Sequence, residues 1–415
     1  MATTPRTRAF DSTLALLRDP YRFISRECRR AGSDVIRARL LMQETVLMTG
    51  AAAAQLFCDN ARFARSGAAP LRLQKTLFGV GGVQSLDDAE HRTRKSMFMD
   101  LMTTERILEL QREVTQEALT AAQHWTQSDS TCLYDAMQEV LTRAVCAWSG
   151  VPLHASETRE RTRQLAALFD GAGAVGPKHW ISRLARKHSE QWIAGVIERI
   201  RKGEIRPAVE TAAHRIAWHR STRGELLEPR IAAVELLNVL RPTVAVSVYV
   251  VFIAHALYKV PLVAERLRNA DAHYERAFVQ EIRRWYPFFP AVVARVRERF
   301  EWRDHAFEKN ERVMLDLYGI DHDPRVWHDP ESFSPERFAS REITPFNFAP
   351  QGPGDHLLNH RCPGEWITMA IMQTMVEVLL RRISYSVPLQ DASLDYARMP
   401  ALPRSRFVIS GVRVH

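Results

Sequence analysis

The stretch from Phe348 to Trp366 constrains the chain most. It reads Phe-Ala-Pro-Gln-Gly-Pro-Gly-Asp-His-Leu-Leu-Asn-His-Arg-Cys-Pro-Gly-Glu-Trp. Glycines and prolines make it a loop, and the apolar spacing beyond Cys362 predicts a helix over Pro363–Arg382. Pro363 suits a first helical turn, where its missing N–H costs nothing. Gly352, Gly354 and Gly364 let the backbone fold tightly around a flat ligand. A helix N-terminus offers free N–H groups and a partial positive charge, so Cys362 is expected to favour thiolate over thiol. An isolated Cys-Pro-Gly is more often a free cysteine at a helix cap, so the rest of the chain must decide.

The other cysteines, Cys28, Cys58, Cys132 and Cys146, are scattered and form no CxxC pair. Neither a disulfide framework nor a zinc site is implied, and the four read as small buried hydrophobes. With 415 residues, 46% of them hydrophobic, the chain can build a large core. It has no repeat, low-complexity tract or long linker, so a single domain over residues 1–415 is the simplest expectation. The formal charge is +9, from 57 basic and 48 acidic residues, without a block of like charge. These charges read as solvated faces. A basic helical protein that binds nucleic acid is the non-enzyme alternative, and it leaves the cysteine loop unexplained. Met1–Arg18 has no apolar signal core. The longest nearly apolar run, Thr243–Tyr258, falls short of the ~20 residues a bilayer requires. No membrane insertion and a cytoplasmic location are expected.

Alternation predicts a strand pair over Asp34–Met42 and Glu44–Thr49, turning at Met42-Gln43-Glu44. Helical spacing covers Ala51–Asp59, Ala89–Met102, Thr104–Gln127, His179–Lys202, Pro229–Tyr258 and Ala272–Tyr286. Strand-like pieces return at Val292–Glu301 and Arg312–Asp316, and Arg406–Val414 reads as a closing strand. The fold class is mainly α with small β-sheets towards the two ends.

Upstream of the cysteine lie Glu281-Ile-Arg-Arg284, an acid and a base one helical turn apart, and Pro335-Glu-Arg-Phe338. Arg337 could join Glu281 and Arg284 in a buried network. ExxR, then PERF, then the Phe348–Cys362 loop, in this order, resembles the cytochrome P-450 superfamily over nearly the whole chain. The resemblance implies that fold, with haem b sandwiched between the long central helix and the cysteine loop and Cys362 as the iron ligand. The loop is longer than usual, with Phe348 fourteen residues before Cys362. In this it is similar to the bacterial fatty-acid peroxygenase branch, although Pro353 stands where that branch more often has a glycine.

The long helix departs from the ordinary family pattern. Instead of an adjacent acid and alcohol it reads Leu237-Asn-Val-Leu-Arg-Pro-Thr-Val-Ala245. Proline in a helix interior costs about 3 kcal/mol. An arginine in an apolar run is an uncompensated buried charge unless it meets an anion. Glu235 is one candidate partner. The resemblance implies another, a long-chain fatty-acid carboxylate held by Arg241, which performs the proton transfer of the missing acid–alcohol pair with hydrogen peroxide as oxidant and no obligatory reductase. Arg241, Pro242 and Gln84 are then the catalytic set. Leu77, Phe78 and Phe288 line the alkyl channel, and Arg65, His91, Lys95 and His360 hold the haem propionates. Hydroxylation at Cα, with Cβ minor, is the expected reaction. Decarboxylation to terminal alkenes and reductase-driven oxygenation are the alternatives.

Overall fold

In the computed structural model, which describes residues 4–174, 176–339 and 342–415, the apolar stripes of the sequence converge on one large helical core. Met1–Thr3 of the N-terminal stretch lie outside the described residues. The Thr104–Trp125 helix shows the logic. Leu110, Val114, Ala118 and Ala122 recur every four residues and are all fully buried, while Thr103 caps the start by accepting from the Arg106 N–H. Leu133–Ser149 packs along it, and Thr158–Asp170 and Pro177–Arg201 complete the surround.

Between these runs the central helix, Pro229–Ala245, buried from Ala232 to Ala245 everywhere except at Pro242. A helix apolar all round must be enclosed, and the longer Pro229–Lys259 run is likewise almost wholly interior. The single helix expected over Pro229–Tyr258 is two, Pro229–Ala245 and Ser247–Lys259. Four residues past Pro242 the chain tightens into a three-residue turn, with the Val246 N–H donating to the Thr243 carbonyl.

A five-stranded sheet forms the other region, in the order Val35–Leu40, Gln43–Met48, Arg312–Asp316, Ala291–Val296 and Phe63–Ala64. The first pair turns one residue earlier than expected. Leu40 faces Gln43, and Leu41 and Met42 both have φ near +60°, which makes a two-residue primed turn that matches strand twist. The strand expected over Val292–Glu301 ends at Val296; Phe300–Trp302 pairs instead with His305–Phe307. The cysteine helix runs from Glu365 to Glu377 and ends in a wide turn over Val378–Arg382, so Pro363 precedes the helix and Gly364 caps it.

Candidate active site

The cysteine loop is stapled from several sides. The Cys362 N–H donates to the Gln351 carbonyl at 3.0 Å, and Asn359 Nδ2 donates to the Cys58 carbonyl at 2.8 Å. Lys95 Nζ donates to the Asn359 carbonyl at 3.2 Å and also to that of Arg361. Gly354 has φ +91°, and a Cβ there would lie 2.8 Å from Cys58 Sγ, so only glycine fits this crossing. Glu365, at the head of the cysteine helix, accepts from Arg283, from His356 Nε2 at 2.9 Å and from Arg361 Nε at 2.7 Å. Burial alone would raise its carboxyl, but Arg283 and these donors hold it well below the usual carboxylate range. Arg283 and Glu365 escaped the sequence reading. Glu281-Ile-Arg-Arg284 contains both arginines, and only the three-residue spacing singled out Arg284.

Burial pushes the Cys362 thiol up, against the Gly364 N–H and the Lys95 charge that pull it down. Ligation to a metal ion deprotonates a thiol outright.

Glu281 and Arg284 are fully buried and pair through Nε–Oε2 at 2.7 Å and Nη2–Oε1 at 2.9 Å. Arg337 Nε reaches Glu281 Oε1 at 3.1 Å, and Arg284 Nη1 donates to the Asp321 and Pro330 carbonyls. The network ties the Ala272–Trp285 helix to the segment leading into the cysteine loop.

Beside the loop, four cationic or titratable side chains crowd together. His91 stacks on His360 with ring centres 3.9 Å apart. Arg65 lies over Phe57 and donates to the Val293 carbonyl at 2.7 Å. His91 and Lys95 are buried, not exposed charges. Burial first, then mutual repulsion, drives His91 down to about 4 and His360 well below its ordinary value. Burial likewise lowers Lys95 to about 8 and Arg65 to about 10. Such a cluster is short of anions.

On the central helix Arg241 is 8% exposed, its Nε finds no hydrogen-bond partner among the described residues, and Nη2 donates to Asn238 Oδ1 at 3.3 Å. Burial and then Arg186 lower it to about 9. Glu235 is not its partner. Arg94 Nη1 holds Glu235 Oε1 at 2.7 Å, and Asn238 Nδ2 donates both to Glu235 Oε2 at 3.0 Å and to Gln84 Oε1 at 3.3 Å. Asn238 thus links Arg241 to Gln84, a role the sequence did not announce. Leu77 and Phe78 sit in the Gln74–Phe78 turn against the helical core, and Phe288 stacks on Tyr249 at 4.4 Å.

A model of the cytochrome P-450 family matches residues 269–407. Cytochrome P-450 71D18 of Mentha gracilis is 31% identical over 138 residues, 32% of this chain and 27% of that protein. The chain is therefore aligned with about a quarter of that curated relative. Similarity to solved structures runs end to end. Cytochrome P450SP alpha (CYP152B1) in complex with (R)-ibuprophen is 51% identical over 97% of this chain and 99% of its own, with a TM-score of 0.96. The chain belongs to the cytochrome P-450 superfamily, in its CYP152 fatty-acid peroxygenase branch. Cytochrome P450EX alpha (CYP152N1) with myristic acid is 42% identical over the full length of both chains, again with a TM-score of 0.96. As a CYP152 protein it is a haem-thiolate oxidoreductase with haem b as cofactor. The donor set fits that group, with one thiol beside the central helix and, next to it, an anion-poor cluster suited to two propionates.

Proposed function

We propose that this protein hydroxylates long-chain fatty acids at Cα, with Cβ minor, using hydrogen peroxide and no reductase. One observation carries the reading. Among the described residues Arg241 is a buried guanidinium without a carboxylate of its own, on the helix that passes Cys362 closely enough for the two groups to influence each other. A planar guanidinium binds a carboxylate bidentately, and the bound anion restores the charge that burial disfavours. The myristic acid bound to P450EX alpha supports the substrate class.

Cys362 would hold the haem, and Arg65, His91, Lys95 and His360 would meet its propionates; when bound, the haem would supply the redox chemistry. The chain's own residues do the rest. Arg241 fixes the carboxyl end, so that Cα lies nearer the reacting centre than Cβ; regioselectivity becomes tethering. The anchored carboxylate takes and returns the proton that an acid–alcohol pair on the helix would have handled. Pro242 denies the helix a backbone donor beside the anchor, and Leu77, Phe78 and Phe288 hold the alkyl chain. Gln84, a neutral amide, can hydrogen-bond near Cβ but cannot titrate, which favours hydroxylation over decarboxylation.

The test is product analysis by gas chromatography after incubation with a long-chain acid and peroxide, with no reductase present. The 2-hydroxy acid should dominate. A majority of one-carbon-shorter terminal alkene, or turnover only with a reductase, would overturn the proposal. Arg241→Ala should abolish turnover while haem content stays near normal.

A further inference from the structure

One face of the molecule combines exposed apolar side chains with a surplus of positive charge. Leu41 and Met42 form the tip of the first hairpin, Leu71 opens the segment leading to Leu77, and Trp180, Ile181 and Leu184 occupy the first turns of the Pro177–Arg201 helix. Each is more than half exposed. They are neighbours. A groove lined by Leu41, Pro70, Leu71 and Gln74 joins the hairpin tip to the loop. Arg72 reaches the Ala174 carbonyl and Arg186 Nη1 the Leu77 carbonyl at 3.3 Å, joining the loop to the helix.

The loop and the helix carry no acid over long stretches. From Asn60 to Leu86 there is no aspartate or glutamate, and none from Gly171 to Ser189. Arg72, Lys75, Lys178 and Lys187 are exposed there, and Arg183 lies over the Trp180 ring. Single apolar residues on a surface need no explanation, but a contiguous set does. A second copy of the chain is a poor occupant, because two faces of the same sign repel. A surface that is apolar within and negatively charged outside complements it on both counts.

We infer that this face docks reversibly on an anionic lipid bilayer. Trp180, Ile181, Leu184 and Leu71 would enter the boundary between headgroups and acyl chains, and the lysines and arginines would meet acidic headgroups. Neither contribution is strong alone, and together they give binding that salt reverses. Each basic residue near such a surface is worth about fivefold in partitioning. The bilayer would meet the outer side of the segment whose inner side carries Leu77 and Phe78, so an acyl chain dissolved in the membrane would arrive at the wall of the distal site. That purpose rests on the fatty-acid reading, but the docking does not, and the test scores binding without turnover.

The haem-loaded protein is floated with vesicles of phosphatidylcholine alone and of phosphatidylcholine with phosphatidylglycerol. Binding should appear with the anionic vesicles and disappear as salt is raised. The triple variant Trp180→Ala, Ile181→Ala, Leu184→Ala should reduce the bound fraction about tenfold, with haem absorbance and the circular dichroism spectrum unchanged. The charge variant Lys178→Glu, Lys187→Glu should independently reduce it by at least about 25-fold. Absence of binding to anionic vesicles, or binding indifferent to both variants, would overturn the inference. So would a dimer in light scattering that the apolar substitutions dissociate.

Discussion

Arg241 lacks a carboxylate among the described residues because Glu235, less than two turns earlier on the same helix, is taken by Arg94. Nothing local in the sequence says so, since the two partners lie 141 residues apart. What was legible is the rule that a charge in an apolar helix must meet an anion; which anion is a tertiary fact. Asn238 was illegible for the same reason. Its amide is oriented by its contacts, because Nδ2 serves Glu235 and Gln84 and leaves Oδ1 for Arg241. Asn238→Leu should therefore let the guanidinium wander. Fatty-acid binding, followed by the substrate-induced change in haem absorbance, should weaken about five- to tenfold for one lost charge-assisted bond. The share of Cα product should fall too, while the ferrous–carbon monoxide spectrum stays unchanged. Asn238→Asp should weaken binding more, because its carboxylate would occupy Arg241. An unchanged product ratio in both variants would show that Asn238 only fills space.

At the scale of elements, periodicity located the helices because their stripes repeat, and it missed their ends where the ends depend on remote contacts. The cysteine helix begins at Glu365, two residues later than Pro363 suggested, and its first carboxylate is clamped by Arg283 from the Ala272–Trp285 helix. Arg283 is 1% exposed and Glu365 5%. Removing one member strands the other, so Glu365→Gln should cost about 3–5 kcal/mol of stability. Its pH dependence has a definite sign. The folded-state pKa of Glu365 is depressed, so its contribution is present above the ordinary glutamate value of 4.5 and is lost progressively as pH falls below it. The wild-type melting temperature should drop more steeply than that of Glu365→Gln on acidification from that value. Parallel curves would mean that the clamp is not ionic in the folded protein.

Across the whole molecule, the cysteine loop joins two packing regions that share few side chains. Ala349 belongs to the sheet side, where it packs with Phe57 and Leu315 and its N–H donates to Asp321 Oδ1 at 2.8 Å. Fourteen residues after Phe348, Cys362 leads into a helix whose Ile367, Ile371 and Met375 lie in the helical core. The crowded group of Arg65, His91, Lys95 and His360 sits along the same seam, held together against its own repulsion. Haem binds only the folded protein, so it stabilises by mass action, and its propionates would cancel that repulsion. Removing haem should therefore lower the melting temperature and loosen the seam first. Hydrogen exchange of the haem-free protein should speed up in Phe348–Cys362 and Asp88–Met99. It should change little in Leu133–Ser149, most of which is buried in the helical core. Uniform acceleration over all three segments would instead mean that the two regions unfold as one unit and that the haem site is not the joint between them.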